Sequence, residues 1–481
     1  TLYLTLGNVY LNMSDLIQAE NMFIKAHETF SIIKDETGKI NVQLAQVRLL
    51  QQQGKLQQAE TKIRALYNNN TIKSTPLLEA EIEELYGQSQ YSLGELKQAE
   101  QAFVSALKKR VLVLGEEHEL VVNIYLLLGN VYWRSGEWDK VKKHYYKAHE
   151  INTNMYGEKN HKTLKSRSSL GVLAYAQGNL VEALDHMNFV AEARLEKLGK
   201  NHILTAEAYN RLGAIYYEKG DYNRAQQKLM LAKEAYINLN LDTSLKYAKT
   251  LNNLGLVERQ KKQYKQAQKT FLEAQKIEID SLGENHEDVA AMSNNLGMVA
   301  ADLGEIEKAQ SFFNNAYTVT LNNSGEENVN LAFSMTNIGR MYLQNENLEQ
   351  AQNWIDKALK LRLEKLGPDN LYYIETLSAS AEIDVQKKFI KSAEEKLKKV
   401  LQVRQAKLPK NDWRISEARA LLSLININQD EITKDTYFCN LQQVSEKLGE
   451  DHYRVRMLLN KQVLYDVYKT QSNIKTHKVC E

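Results

Sequence analysis

The chain has 481 residues, and its charged residues nearly cancel to a formal net charge of +2 at pH 7, so no large field attracts nucleic acid or anionic lipid. Its two cysteines, Cys439 and Cys480, are too few for a disulfide framework and suit a reducing compartment, which predicts a cytoplasmic protein. Only three prolines, with no apolar run near the roughly 20 residues of a membrane span, predict helices throughout and no membrane insertion.

One small residue recurs every 42 residues and anchors an internal repeat. The anchors are Gly87, Gly129, Gly171, Gly213, Gly255, Gly297, Gly339 and Ala381. In most units a glycine follows seven positions after the anchor, as Gly94 does, and alanines follow at twelve and nineteen, as Ala99 and Ala106 do. A further glycine, such as Gly115, closes the unit. Several landmarks recurring in phase indicate a true repeat.

Between the landmarks, apolar residues fall at helical spacing, as in Leu212, Ile215 and Tyr216. Each unit is therefore predicted to be a helical hairpin, whose first helix ends at the glycine seven positions after the anchor. Lys262 and Glu346 replace that glycine and predict looser turns. The small anchor should let the two helices approach closely. One hairpin cannot bury its own apolar stripe, so stacking predicts an all-α fold, a right-handed α-solenoid with a concave side.

In chain order, residues 1–430 are predicted to hold about ten repeats of 40–42 residues and a degenerate eleventh. Residues 431–469 are predicted to form C-terminal capping helices, and residues 470–481 a disordered tail. Thr1 falls inside the predicted first helix and leaves it without an N-cap, so we expect further sequence upstream.

This pattern resembles the tetratricopeptide repeat over nearly the whole chain. The 42-residue unit, with LGENH closing one repeat and LNNLG opening another, is similar to the long-helix repeats of the kinesin light chain. In that family, first-helix positions two and three before the anchor, and one, four and five after it, face a concave groove. The resemblance implies a non-enzymatic scaffold or adaptor that binds a peptide or partner protein in this groove.

Asparagines occupy many of these groove positions. An amide has donors and an acceptor, so a row of amides can bond an extended peptide backbone whatever its side chains. The resemblance implies that the peptide-gripping residues are Asn210, Asn252, Asn253, Asn294, Asn295 and Asn337. An asparagine in mid-helix can also simply bond a neighbouring repeat, and this structural alternative stays open.

Other side chains around the asparagines are predicted to set specificity. These candidate contacts are Trp133, Tyr175, Tyr217, Arg211, Arg259 and Arg340. They favour a ligand with an aromatic or apolar anchor and acidic residues. The three aromatic residues could equally be packing residues, and Arg340 could equally be a solvated arginine.

The histidines do not predict catalysis, because they are distributed one to a repeat. His118, His202, His286 and His452 recur in the closing loops, whereas metal ligands or catalytic bases would be gathered at one site. We expect them to act in the loops and as helix caps. The sequence also has no phosphate-binding glycine loop, no HExxH and no nucleophile elbow, so we predict no enzyme, no metal and no cofactor.

A second function stays open. The chain could be the regulatory or sensor module of a larger assembly whose effector lies outside it. Such an effector would be a peptidase, a nucleotide-binding switch or a DNA-binding domain.

Overall fold

A computed structural model describes residues 1–12, 15–68, 75–408, 412–425 and 431–448, together with Val455 and Leu458. These residues form twenty-two helices and no strand. The predicted tail 470–481 lies outside the described residues, as does the second half of the predicted capping segment 431–469 apart from Val455 and Leu458. The chain divides into two compact units, the N-terminal unit Thr1–Lys197 and the C-terminal unit Leu198–Glu481.

The helices follow one another in pairs. The N-terminal unit contains α1 (Leu2–Asn12), α2 (Leu16–Ile32), α3 (Glu36–Gln52), α4 (Leu56–Tyr67), α5 (Pro76–Leu93), α6 (Leu96–Leu114), α7 (Glu119–Ser135), α8 (Trp138–Tyr156) and α9 (His161–Ala176), and α10 (Leu180–Leu198) ends at its boundary. The C-terminal unit contains α11 (Ile203–Glu218), α12 (Tyr222–Asn238), α13 (Leu245–Gln260), α14 (Tyr264–Leu282), α15 (Glu287–Asp302), α16 (Ile306–Ser324), α17 (Leu331–Gln344), α18 (Leu348–Leu366), α19 (Leu371–Gln386), α20 (Ile390–Lys407), α21 (Trp413–Ile425) and α22 (Glu431–Leu448).

The anchor glycines let one bulky side chain of the second helix press against the first helix. A Cβ atom added at Gly255 would lie 2.7 Å from the ring of Phe271, and one added at Gly339 would lie 2.8 Å from Ile355. Both contacts join an anchor to the residue sixteen positions later. The close approach predicted for the two helices of a hairpin is therefore confirmed, and the residue that fills the space is now identified.

The hairpin turns keep one conformation whether or not they contain glycine. Gly220 has a φ of +79°, and Lys262 adopts the same left-handed region with a φ of +62°. The N–H of Lys262 donates to the carbonyl of Arg259 at 3.0 Å, as Gly220 does to Tyr217 at 2.9 Å. Glu346 is also left-handed, with a φ of +58°. The prediction of looser turns at Lys262 and Glu346 was wrong. Both residues adopt the left-handed conformation of the glycine that they replace, which is strained for a residue with a side chain.

Most closing loops carry the same side-chain to backbone bond at one position of the 42-residue repeat. A side chain at this position accepts a hydrogen bond from the backbone N–H two residues later, at 2.8–3.2 Å. The accepting residues are His118, Asn160, His202, His286, Asn328, Asn370 and Asp412, and all but Asn328 directly precede the helix that they cap. The expected loop and cap role of His118, His202 and His286 is thus confirmed, while His452 lies outside the described residues.

Stacking places the first helices of the hairpins on the inner side of each unit. In the C-terminal unit, each first helix from α11 to α19 contacts the next first helix along the chain, up to α21, whereas successive second helices are not in comparable contact. The side on which neighbouring helices come closer is the concave one. Core residues such as Tyr236, Leu251, Phe271 and Leu296 run continuously through this stack. None of the helices in the described part of the chain combines the length and apolar character that a membrane span requires.

Candidate functional site

Side-chain amides of neighbouring repeats bond one another along the first helices of the C-terminal unit. Asn253 donates from Nδ2 to Oδ1 of Asn210 at 3.0 Å, and Asn295 donates to Asn252 at 2.7 Å. Asn294 continues the series by donating to Oγ of Ser334 at 3.0 Å. We call these three bonds the amide rungs. The bonds between repeats that the structural alternative required are therefore present.

The amide rungs leave part of each side chain available. An amide has two N–H donors and an oxygen with two acceptor positions. Asn253 uses one donor, and Asn210 uses one acceptor position, so donors and acceptors remain on both. All four asparagines of the first two rungs are half-buried and reach solvent. The same side chains can thus join repeats and present polar groups to a ligand.

Two further predicted residues have no such partner. Asn337 is half-buried and makes no hydrogen bond through its side chain to any described residue. Arg211 is exposed next to Asn210 and forms no ion pair with a described residue. Both side chains therefore remain available within the part of the chain that the structure describes.

Arg259 already has an anionic partner. Its Nε donates to one carboxylate oxygen of Asp302 at 2.5 Å, and its Nη2 is 3.4 Å from the other. The Asp302 side chain is only 1% exposed. An acidic ligand would have to compete with this carboxylate for Arg259.

Arg340 is buried within a network of charged side chains. Its two terminal nitrogens donate to Glu382 at 3.1 Å and to Glu375 at 3.0 Å. Glu375 also accepts from Arg404, which donates to Glu417 at 3.1 Å. Arg340 is only 6% exposed. The alternative in which Arg340 is a solvated arginine was therefore wrong, because two glutamates replace its water.

The aromatic candidates lie in different units. In the N-terminal unit, Trp133 is half-buried and stacks edge-on against Trp138 at 5.2 Å, while Tyr175 is also half-buried. In the C-terminal unit, the hydroxyl of Tyr217 accepts a hydrogen bond from Gln260 at 3.3 Å. Trp133 and Tyr217 thus have packing or bonding partners in their own units, and each keeps part of its surface accessible.

The start of α21 lies within electrostatic range of α11 and α12 in the C-terminal unit, although four hairpins lie between them along the chain. Arg414 acts electrostatically on Tyr217, and Asp412 and Arg414 both act on Glu218 and Tyr222. Desolvation raises the pKa of Glu218; Arg414 opposes this rise, and Asp412 adds to it. Burial raises the pKa of Tyr222 to about 12. The last inner helix of this unit therefore begins within electrostatic range of the first hairpin of the unit.

Sequence reasoning missed the partners that complete these pairs, among them Ser334, Glu375 and Glu382. A spacing signal was available. The pairs Asn210 with Asn253 and Arg259 with Asp302 are both 43 residues apart, one repeat plus one residue. Complementary side chains at this spacing predict bonds between neighbouring repeats. No group of three or more metal-ligating side chains occurs among the described residues.

Solved structures of other helical repeat proteins resemble this chain. The apo form of the quorum sensor NprR from B. thuringiensis aligns with a TM-score of 0.56 and 14% identity, over 75% of this chain and 97% of that one. A Rap protein complexed with competence and sporulation factor aligns with a TM-score of 0.52 and 14% identity, over 76% and 97%. At these identities the likeness shows the fold alone.

A shorter match concerns the kinesin light chain. A putative kinesin light chain from Podosopora anserina, with nearly identical TPR-like repeats, aligns with a TM-score of 0.38 and 16% identity, over 42% of this chain and 96% of that one. No curated protein sequence matches the chain.

Sequence models of the tetratricopeptide repeat match most of the chain. The matched residues are 44–110, 78–154, 121–188, 162–238, 246–322 and 330–406. The described helices form the stacked hairpins that these repeats require, and the predicted all-α solenoid is confirmed. The chain therefore belongs to the tetratricopeptide repeat family.

Proposed function

We propose that this chain is a non-enzymatic scaffold or adaptor that binds a peptide or partner protein in the concave groove of its C-terminal unit. The amide rungs carry this proposal. They align half-buried amides on α11, α13 and α15 and leave donors and acceptors unused. An extended peptide backbone presents N–H and C=O groups at regular intervals, so it can bond several amides at once. Each bond contributes roughly 0.5–1.5 kcal/mol, and a ligand spanning several rungs gains useful affinity.

The charges along the groove favour a ligand with acidic residues. Arg211 and Lys249 are exposed on neighbouring first helices, and neither forms an ion pair with a described residue. Glu207, in contrast, already pairs with Lys246 at 2.5 Å. An acidic side chain would meet positive charge without displacing an existing partner. The accessible part of Tyr217 would contact an aromatic or apolar anchor.

A sensor function is the second candidate. The similarity in fold to the quorum sensor NprR favours it. In this form of the proposal, the groove holds a signal and the response belongs to an effector outside the chain. We also propose a cytoplasmic location, on the basis of the cysteine usage.

The experiment is a selection of peptides from a random phage-displayed library on the purified chain, followed by fluorescence anisotropy with the selected peptide. The test variant is Asn252→Ala/Asn253→Ala/Asn295→Ala, which removes two rungs. The control is Lys265→Ala/Lys269→Ala, which changes two exposed side chains of the second helix α14. Circular dichroism and thermal unfolding establish that both variants are folded.

We expect the triple variant to raise Kd at least about tenfold, because three groups worth roughly 0.5–1.5 kcal/mol each are removed. The control should bind as the wild type does. Equal binding by the folded triple variant would contradict a role of the amides in ligand binding. Loss of binding only in the lysine variant would move the site to the outer helices.

A further inference from the structure

A buried donor near the end of a second helix bonds the backbone of the next repeat at four junctions. The donor stands 23 residues after the anchor, and the accepting carbonyl belongs to the residue ten positions later. The four bonds join Arg110 to Leu120 at 2.9 Å, Asn152 to Lys162 at 3.2 Å, Arg362 to Tyr372 at 2.7 Å and Arg404 to Arg414 at 2.6 Å. We call this bond the junction staple.

Glu278 occupies the donor position at the junction of α14 and α15. The carbonyl ten residues later belongs to Asp288. Glu278 is 8% exposed, and its Oε2 is buried without a hydrogen-bond partner among the described residues. An ionised carboxylate only accepts hydrogen bonds, whereas a protonated one has an O–H to donate. This position can therefore form the junction staple only when the carboxyl carries a proton.

The charges around Glu278 also favour the protonated form. Burial and then the negative charge of Asp288, at the start of α15, raise the pKa of Glu278 to about 7. Burial and Asp288 are the two causes that account for this rise. His286 lies beside Asp288, with Nδ1 3.6 Å from Oδ2, so its own protonation is the competing source of pH dependence at this junction.

We propose that Glu278 is a proton-operated junction staple between α14 and α15. When the Glu278 carboxylate takes up a proton from solvent, its O–H donates to the carbonyl oxygen of Asp288 and holds the two repeats together. Once the proton returns to solvent, the bond is lost and two carboxylates face each other across the junction. The reach is sufficient, because the shorter side chain of Asn152 already spans the equivalent distance.

The staple lies beside the candidate binding surface. The rung between Asn252 and Asn295 joins α13 to α15, and α14 packs between these two helices. Loosening α14 from α15 would therefore make this part of the groove wall more compliant at alkaline pH. The inference does not depend on what the groove binds, and its test uses no ligand.

Hydrogen exchange of the full chain, followed by mass spectrometry at pH 5.5 and pH 8.5 and corrected for the intrinsic exchange rate, tests the proposal. In the wild type we expect the amides of α14 and α15 to be protected at least about tenfold more at pH 5.5. Glu278→Gln has an amide donor at every pH, so its protection should be the same at both. His286→Asn keeps the cap that Asn160 and Asn370 form, and it should retain the wild-type pH dependence.

Equal protection of the wild type at the two pH values would overturn the proposal. A pH dependence that survives Glu278→Gln and disappears in His286→Asn would do the same, because it would assign the effect to the histidine. If Glu278→Gln does not fold, the carboxyl ¹³C shift of Glu278 in the wild type decides. A titration midpoint above pH 6 supports the proposal, and one below pH 6 overturns it.

Discussion

At the scale of single residues, each anchor glycine is opposed by one bulky side chain sixteen positions later. In Gly255→Ala the new methyl group would lie within 2.7–2.9 Å of the Phe271 ring, so the helices must separate or the ring must leave its place. We expect the free energy of unfolding to fall by about 1–3 kcal/mol in urea denaturation. The same change made in a Phe271→Ala background should cost less. If Gly255→Ala lowers the free energy of unfolding equally in the wild type and in the Phe271→Ala background, the proposed contact is contradicted.

Lys262 shows the opposite situation, a side chain where glycine would fit better. Its left-handed backbone, with a φ of +62°, costs a non-glycine residue roughly 1–2 kcal/mol. We expect Lys262→Gly to raise the free energy of unfolding by about 1 kcal/mol in urea denaturation, because the turn is kept and the strain is removed. Lys269→Gly, at an exposed position in the interior of α14, serves as the control and should lower it by about 1 kcal/mol. Destabilisation by Lys262→Gly would show that the turn is not under strain.

The sequence predicted the small anchors and the capping role of three histidines, since a 42-residue spacing makes equivalent positions visible. It did not predict how a turn without glycine would behave. Lys262 was expected to loosen its hairpin, yet the helix packing on both sides fixes the turn and the backbone takes the strain. At Lys262, the packing of the two helices outweighs the preference of a non-glycine residue for negative φ.

At the scale of the helices, charged side chains join successive repeats in the C-terminal unit. Arg340 on α17 is bound to two glutamates of α19 and is almost fully buried. Removal of one partner from such a buried group leaves uncompensated charge, so Arg340→Ala should lower the free energy of unfolding by about 3–5 kcal/mol. Lys365→Ala breaks a pair with the fully exposed Glu327, which water screens, and should lower the free energy of unfolding far less. Urea denaturation measures both.

Equal effects of these two substitutions would contradict a structural role for Arg340. The sequence placed Arg340 on the inner face of its helix but could not show that its charge was already neutralised. Glu375 and Glu382 lie 35 and 42 residues later, and only the stacking of α17 on α19 brings them to the guanidinium.

Glu278, at the junction of α14 and α15, makes the free energy of unfolding depend on pH, and the sign of this dependence can be worked out. The pKa of Glu278 is raised from its ordinary value of 4.5 to about 7, so its stabilising effect is complete below about pH 4.5 and is lost as the pH rises to about 7. At about 1.4 kcal/mol for each pH unit, the loss is about 3 kcal/mol. We expect the difference in unfolding free energy between wild type and Glu278→Gln to change by this amount over that range. A constant difference would contradict the assignment.

At the scale of the whole molecule, each repeat contacts mainly its neighbours, so stability is built from repeats and the junctions between them. The periodic sequence was sufficient to predict this architecture. It was not sufficient to show whether the asparagines bond neighbouring repeats, bind a ligand, or do both. Asn252 bonds Asn295 and still has unused donors, so a residue predicted to grip a ligand also joins repeats. Only a bound ligand distinguishes these uses.

The central claim is that the amide rungs contact the ligand directly. The most direct measurement is NMR of the chain labelled with ¹⁵N only in asparagine side chains, recorded with and without the selected peptide. The account predicts that the amide signals of Asn210, Asn252, Asn253, Asn294 and Asn295 shift on binding, while Asn160 and Asn370, which cap outer loops, stay in place. Saturating peptide that leaves the five groove signals unmoved would contradict the account.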